Sequence, residues 1–260
     1  MEQVKNIMNL IKKIIYQYGI PTIGRILNGN NKYVNVIYYH DIVQGKGYSF
    51  QQTNIEIFKK QMQYIASHGY TTLRFDDLKT EVDEAYDSKK IIIVFDDGWK
   101  SNYTEIYDYM KSLGLKYSIY LAVKEIGVNP DYLTWDQVRL MHDEGIVGFG
   151  THTYTHPHID AISNIDVEVE FKKADAIFEA ELGYKPLDFC YPYGTYSEET
   201  NEYISSHLEY KRIYTSRLMY SYRQNGKIIF GRNGINGDEP FIVFVSKLKG
   251  YYNVWRKILG

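Results

Sequence analysis

This chain of 260 residues has a single cysteine, no long apolar run and no large excess of either charge. Its single cysteine, Cys190, excludes an internal disulfide framework. No segment approaches the roughly 20 apolar residues needed to span a bilayer, and none has the pattern of a signal peptide. The net charge of -2 gives no general attraction to nucleic acid or anionic lipid. We therefore expect a cytoplasmic protein without nucleic-acid partners.

The chain does contain 44% hydrophobic residues, enough for a large core, and its length is normal for one α/β barrel. It also contains 27 tyrosines. Stacking on sugar rings could explain them, but lysine, isoleucine and asparagine are plentiful too, as AT-rich codons would produce. Composition alone therefore assigns no tyrosine to a site.

The first 30 residues differ from the rest, and we predict an N-terminal amphipathic helical extension over 1–30 and one main domain over 31–260. Apolar residues recur there at helical spacing with lysines between them: Ile7, Met8, Leu10, Ile11, Ile14, Ile15 and Tyr18, with Lys5, Lys12 and Lys13. Residues 1–27 could lie on the inner face of a membrane as a peripheral contact. The alternative is a helix packed on the domain or on another subunit; the oligomeric state stays open.

Strand and helix patterns alternate from residue 33 onward. The predicted strands are Tyr33–Tyr39, Thr71–Arg74, Lys90–Phe95, Lys116–Ala122, Ile146–Thr151, Leu187–Tyr191, Lys211–Thr215 and Lys227–Phe230. The predicted helices are Ile55–His68, Tyr103–Leu113, Trp135–Glu144, Ile165–Leu182, Glu198–Ser206 and Pro240–Leu248. No glycine-rich phosphate loop follows the first strand. The pattern predicts an α/β fold, a distorted (β/α) barrel of about seven strands in a single domain.

Polar residues follow four of these strands at their carboxyl ends, where barrels carry their active sites. They are His40, the pair Asp96-Asp97, His152, and the run Tyr191-Pro192-Tyr193-Gly194. Each is ambiguous alone, because Asp-Asp-Gly is an ordinary turn sequence and an isolated His-x3-His is often accidental. Four such coincidences at one end of a barrel predict an active site there.

An aspartate with His152 and His156 is a sufficient ligand set for a catalytic divalent metal. Two neighbouring aspartates fit a glycosidase poorly, since successive residues of an extended segment point to opposite sides. They suit a division of labour, with one on a metal and the other beside the attacking water. We expect Cys190 to be a small buried residue and not a nucleophile, because no base is placed to activate it.

Three motifs, in this order and at this spacing, resemble the polysaccharide deacetylases, that is, carbohydrate esterase family four with its nodulation-type deacetylase domain. They are Phe95-Asp96-Asp97-Gly98, His152-Thr153-Tyr154-Thr155-His156 and Tyr191-Pro192-Tyr193-Gly194. The resemblance covers residues 33 to 235. It implies that Asp97, His152 and His156 bind the metal and that Asp96 is the general base. The backbone N–H of Tyr193 would then hold the oxyanion.

Two positions depart from the family pattern. Many members carry an arginine where this chain has Cys190, and a late histidine as general acid, whereas no histidine follows His207 here. Both departures resemble the exopolysaccharide deacetylases of the poly-N-acetylglucosamine type. That resemblance implies His40 as general acid and Arg232 as the partner of Asp96, the alternatives being a structural histidine and a surface arginine.

The resemblance implies a metal-dependent hydrolase of carbon–nitrogen bonds that removes N-acetyl groups from an acetamido-sugar glycan or a lipid-linked glycan precursor. A water activated by the metal would attack the acetamide carbonyl. Zinc is the default metal for such ligands, and cobalt, nickel or iron suit similar sites. O-deacetylation, a hydrolase of small non-glycan amides, and a catalytically impaired glycan-binding member remain as alternatives.

Overall fold

A computed structural model describes residues 2–27, 32–47, 49, 51–78, 87–237 and 239–254. Its strands are β1 Asn35–Tyr39, β2 Asp41–Val43, β3 Gln52–Asn54, β4 Thr71–Leu73, β5 Lys90–Phe95, β6 Tyr117–Leu121, β7 Val147–Thr151, β8 Asp188–Cys190, β9 Arg212–Thr215, β10 Tyr222–Gln224, β11 Lys227–Gly231 and β12 Asn233–Gly234. Its α-helices are Glu2–Ile14, Ile20–Leu27, Ile55–Ser67, Ser101–Thr104, Tyr107–Ser112, Trp135–Asp143, Asn164–Leu182, Glu198–His207 and Phe241–Leu248, with a π-helix at Ile15–Gly19.

The main sheet is parallel and returns to its own first strand. Its order runs β1, β5, β6, β7, β8, β9, β11, with β4 beside the start of β5 and β10 antiparallel to β11. Only Arg232 separates β11 from β12, and β12 pairs with β1. The segment Lys227–Gly234 therefore bridges β9 and β1, which gives the distorted barrel predicted from the sequence.

Strand β5 shows why the sheet is apolar on both faces. Ile92 and Val94 lie in a cluster with residues of the neighbouring strands, inside the barrel. Ile91, Ile93 and Phe95 alternate with them and pack in the larger core beneath the outer helices. Parallel sheets covered on both faces need such unbroken hydrophobic strands. The two acids that follow Phe95 therefore lie at the edge where the core ends.

The predicted strands are all present, with ends shifted by at most two residues. The short strands β2, β3, β10 and β12 were not predicted, because two or three residues carry no readable periodicity. The helix predicted over Tyr103–Leu113 is wrong as a single helix. The helix is interrupted between Thr104 and Tyr107, because Ser101 and Asn102 bind its first turn to the Asp41 side chain and to the backbone carbonyl of His40.

The predicted N-terminal helix is present, and it continues to Leu27 through the π-helical turn. The boundary predicted at residues 30 and 31 lies outside the described residues. Ile20, Pro21 and Gly24 are buried against the domain, whereas every side chain from residue 5 to residue 15 is exposed. No helix of the described part combines the length and the apolar character needed to cross a membrane.

Candidate active site

The predicted site residues line one pocket of about 140 Å³ at the carboxyl ends of the strands. His40 follows β1, Asp96 and Asp97 follow β5, and His152 follows β7. Arg232 reaches the pocket from the junction of β11 and β12. The pocket is lined by Tyr38, His40, Gln51, Asp96, Asp97, His152, His156, Tyr193, Gly194, Ser216 and Arg232.

Asp97, His152 and His156 converge on a common point. The Nε2 atoms of His152 and His156 lie 3.7 and 3.4 Å from Oδ1 of Asp97, and the three ligand atoms lie within 4.8 Å of one another. Asp97 and His156 adopt left-handed backbone conformations, with φ of 74° and 58°. These turns redirect the chain after β5 and β7, so that side chains from separate loops meet.

Surrounding contacts orient these ligand atoms. His152 Nδ1 lies 2.8 Å from the carbonyl oxygen of Cys190, which only accepts, so Nδ1 carries the hydrogen and Nε2 keeps its lone pair. The indole N–H of Trp99 donates to Oδ2 of Asp97 at 3.0 Å, which leaves Oδ1 to face the histidines. Such outer contacts fix the tautomer and orientation of metal ligands.

Protonation also suits a metal. Burial lowers the pKa of His152 to about 3 and lowers the pKa of His156, so both rings are neutral donors at neutral pH. Burial raises the pKa of Asp97 against the opposing effect of the nearby His40. Neutral nitrogen donors and one carboxylate fit a divalent cation such as zinc, with room for further ligands. The donor set therefore fits the metal expected from the sequence.

Asp96, His152 and Cys190 also lie close enough to share a metal, but they fit one less well. Both oxygens of Asp96 accept hydrogen bonds from Arg232, at 2.7 and 2.8 Å. Burial raises the pKa of the Cys190 thiol well above its usual value. This group therefore lacks a thiolate, and the charge of its carboxylate is already balanced by Arg232.

Arg232 is the charge partner of Asp96 in the barrel interior. Burial raises the pKa of Asp96, but the Arg232 guanidinium and its hydrogen bonds outweigh burial and lower that pKa to about 2. Arg232 is fully buried, lies over the ring of Tyr38 and donates from Nε to the carbonyl oxygen of Thr215. Asp96 is therefore ionised at neutral pH.

His40 also lies beside Asp96. Its Nε2 atom is 3.9 Å from Oδ2 of Asp96, and Asn102 donates to its backbone carbonyl at 3.0 Å. The ring meets Tyr38 edge to face. His40 is thus held at the pocket with one ring nitrogen toward the carboxylate.

Tyr193 forms part of the outer wall of the pocket. Its backbone is left-handed, with φ of 57°, and the residue is 52% exposed. The ring stacks on His158 at 3.8 Å and meets the edge of His156 at 4.7 Å. The next position, 194, requires glycine, because a Cβ there would lie 1.6 Å from the Ser216 hydroxyl oxygen. Tyr191, the first residue of the same run, is buried, and its hydroxyl donates to Oδ1 of Asn201.

Sequence reasoning missed Trp99 as a contact of the metal-ligand set. The signal was available in part, since Trp99 follows Asp97 by two residues and carries an N–H donor. Its stacking on Tyr132, at 4.6 Å between ring centroids, depends on a loop distant in sequence and could not be predicted. The bond to Asp97 is therefore a tertiary feature.

A larger cavity of about 960 Å³ lies elsewhere, at the amino ends of β8, β9 and β11. Its wall carries the buried ion pair of Asp188 with Arg212, joined by two hydrogen bonds of 2.6 and 2.8 Å. No metal-ligand group among the described residues lies there. Size alone therefore does not identify the candidate site; the convergent ligand atoms lie in the smaller pocket.

A family model for polysaccharide deacetylase matches residues 83–212, half of the chain. The chain belongs to the polysaccharide deacetylases. These are hydrolases acting on carbon–nitrogen bonds other than peptide bonds, the class expected from the sequence. The family assignment and the resemblance on which it was predicted are thus confirmed.

Individual relatives agree with this assignment. The chain is 28% identical over 167 residues to YxkH of Bacillus subtilis (strain 168), provisionally named as a polysaccharide deacetylase; the match covers 64% of this chain and 58% of YxkH. The deacetylase PplD of Streptococcus pyogenes, solved in complex with acetate, has a TM-score of 0.75 at 20% identity and covers 84% of this chain and 99% of its own. IcaB of Ammonifex degensii has a TM-score of 0.69 at 19% identity, covering 84% and 97%. The two solved structures show the shared deacetylase fold.

Proposed function

We propose that this polysaccharide deacetylase removes N-acetyl groups from an acetamido-sugar glycan or a lipid-linked precursor of one. The observation that carries the proposal is the ionised Asp96, held by Arg232, beside the convergent ligand atoms of Asp97, His152 and His156. A base and a metal-ligand set on adjacent residues are the two parts that hydrolysis of an unactivated amide requires.

Asp97, His152 and His156 would hold the metal, with zinc the default for this donor set. When bound, such an ion polarises the acetyl carbonyl and lowers the pKa of water toward about 7. Trp99 and the Cys190 carbonyl keep the ligand atoms aimed at one point. The metal identity is part of the proposal.

The chain's own groups account for the proton transfers. Asp96 accepts the proton of the attacking water as the carbon–oxygen bond forms. The Tyr193 backbone N–H donates to the oxygen that gains charge. His40 donates a proton to the sugar nitrogen as the carbon–nitrogen bond breaks, so that acetate and a free amine leave. Arg232 keeps Asp96 ionised and fixes its orientation.

The pocket is small enough to define which part of a substrate enters. A volume of about 140 Å³ admits an acetamido group, while the remaining sugar rings stay at the mouth. There, the half-exposed Tyr193 and the stacked His158 offer aromatic surface. Acetate in the PplD structure is the product expected from this reaction.

Acetate release from N-acetylated oligosaccharides tests the proposal. We expect release by the zinc-loaded protein, loss on treatment with a chelator, and recovery on adding zinc. Asp96→Asn should reduce turnover by about 10²–10⁴-fold while zinc still binds. Asp160→Asn, an exposed carboxylate in the 3₁₀ turn Ile159–Ala161, should behave as the wild type.

The same measurement separates the alternatives. Zinc-loaded, folded protein that binds the oligosaccharides but releases no acetate would identify a glycan-binding member. Faster hydrolysis of small amides than of any glycan would identify an amidase. Either result contradicts the proposed glycan deacetylase.

A further inference from the structure

The N-terminal helix carries an apolar surface that no described part of the domain covers. Nine of the seventeen large apolar side chains exposed in the described structure come from it: Ile7, Met8, Leu10, Ile11, Ile14, Ile15, Tyr18, Ile23 and Ile26. The segment is only about a tenth of the chain, so the exposure is concentrated in one place. Contiguous exposed apolar surface of this kind marks an interaction site.

Charge is also segregated on this helix. Successive helical residues advance by about 100°, so Ile7, Ile11 and Ile14 fall on one side while Lys5 and Lys12 fall on the other. Residues 1–27 contain four basic residues and a single acid, Glu2. The segment is therefore locally cationic in a chain whose net charge is -2.

The helix is fixed to the domain by its second half. Gly24 packs on the backbone of Tyr251, where a Cβ would lie 1.7 Å from the carbonyl oxygen. The Tyr16 hydroxyl donates to Glu239 at 3.0 Å. Glu239 follows β12, whose Gly234 pairs with Tyr38 of the pocket wall. The exposed segment thus leaves the domain close to the end of the barrel that carries the pocket.

We propose that residues 5–15 bind a lipid surface that carries anionic headgroups. The apolar side would enter the boundary between headgroups and acyl chains, as interfacial helices do. The lysines would lie at the level of the lipid phosphates, each adding roughly 1 kcal/mol near an anionic surface. Charge complementarity favours this occupant over a second copy of the chain, which would bring a second cationic helix to the same place.

Sedimentation with lipid vesicles tests this with the full chain and without substrate. The protein should bind vesicles of phosphatidylglycerol and phosphatidylcholine in equal parts, and bind vesicles of phosphatidylcholine alone at least about tenfold more weakly. Ile11→Glu combined with Ile14→Glu should lower the affinity by more than about tenfold. So should Lys12→Glu combined with Lys13→Glu.

A matched control is Ile165→Glu, on the helix Asn164–Leu182, where the isoleucine is 77% exposed. It should leave vesicle binding unchanged. All these variants should release acetate from a soluble oligosaccharide at the wild-type rate, so failure of membrane binding and failure of the proposed catalysis would be told apart.

Two results would overturn the lipid proposal. One is equal sedimentation with and without vesicles. The other is a dimer in light scattering that Ile11→Glu with Ile14→Glu converts to a monomer, which would assign the apolar surface to a second copy.

Discussion

The guanidinium of Arg232 holds both oxygens of Asp96, at 2.7 and 2.8 Å, inside the barrel. The two residues are 136 positions apart in the sequence and meet because β12 pairs with β1, the neighbour of β5. A buried carboxylate without such a partner would take up a proton. The ion pair therefore decides the protonation state of the proposed base.

Replacing Arg232 with methionine should raise the pKa of Asp96 from about 2 by about 1–3 units, because the cation that favours the carboxylate is lost. The base would then be protonated at pH values where the wild type is ionised, so the acid limb of the pH profile of kcat/KM should move to higher pH. The free energy of unfolding should fall by about 3–5 kcal/mol. Arg217→Met, a guanidinium that stacks on Tyr196, should leave the acid limb in place.

Replacing His40 with alanine should lower the turnover rate on N-acetyl sugars by about 10²–10⁴-fold, because the leaving nitrogen would lose its proton donor. Hydrolysis of p-nitrophenyl acetate should fall much less, since nitrophenolate leaves without a proton. Zinc affinity should not change. An equal loss on both substrates would argue against His40 as the acid.

Replacing Trp99 with phenylalanine should keep the stacking on Tyr132 but remove the hydrogen bond to Asp97. The Asp97 carboxylate would then be free to rotate, and zinc affinity should fall by about 10–100-fold. Competition with a chromophoric chelator measures this directly. Trp135→Phe, at the start of a helix on the outer layer, serves as the control; the same loss there would point to general destabilisation.

Replacing Asp76 with asparagine should stabilise the protein at neutral pH. Burial and the nearby Asp188 raise the pKa of Asp76 to about 6, above its value in the unfolded chain. The stability contributed by the protonated carboxyl is therefore present below about pH 4 and is lost as the pH rises through about 6. The gain from the asparagine should grow to at most about 3 kcal/mol by pH 7.

Urea unfolding at about pH 4 and about pH 7 measures this gain. Asp108→Asn, an exposed carboxyl, should show none. If the free energies of unfolding of the wild type and Asp76→Asn differ by the same amount at both pH values, the raised pKa of Asp76 is falsified.

Local sequence was sufficient for the elements that carry the site. Strand β5 was predicted with the bounds found, because five consecutive apolar residues after Lys90, ending on two acids, leave little choice. The carboxyl ends of parallel strands meet at one end of a barrel, so His40, Asp97 and His152 could be placed together before the fold was known. The interruption of the helix after Thr104 could not be predicted from the sequence, since side-chain contacts with His40 and Asp41 override the helical pattern there.

The sequence by itself determined the family, the barrel and the residue types at its catalytic end, because these follow from periodicity and motif spacing. Only the tertiary structure decided that Arg232 reaches Asp96, that Trp99 orients Asp97, and that residues 5–15 leave the domain with their apolar side uncovered. Each of these depends on which segments lie together after the sheet closes. Contacts between residues far apart in sequence leave no periodic signal in the chain.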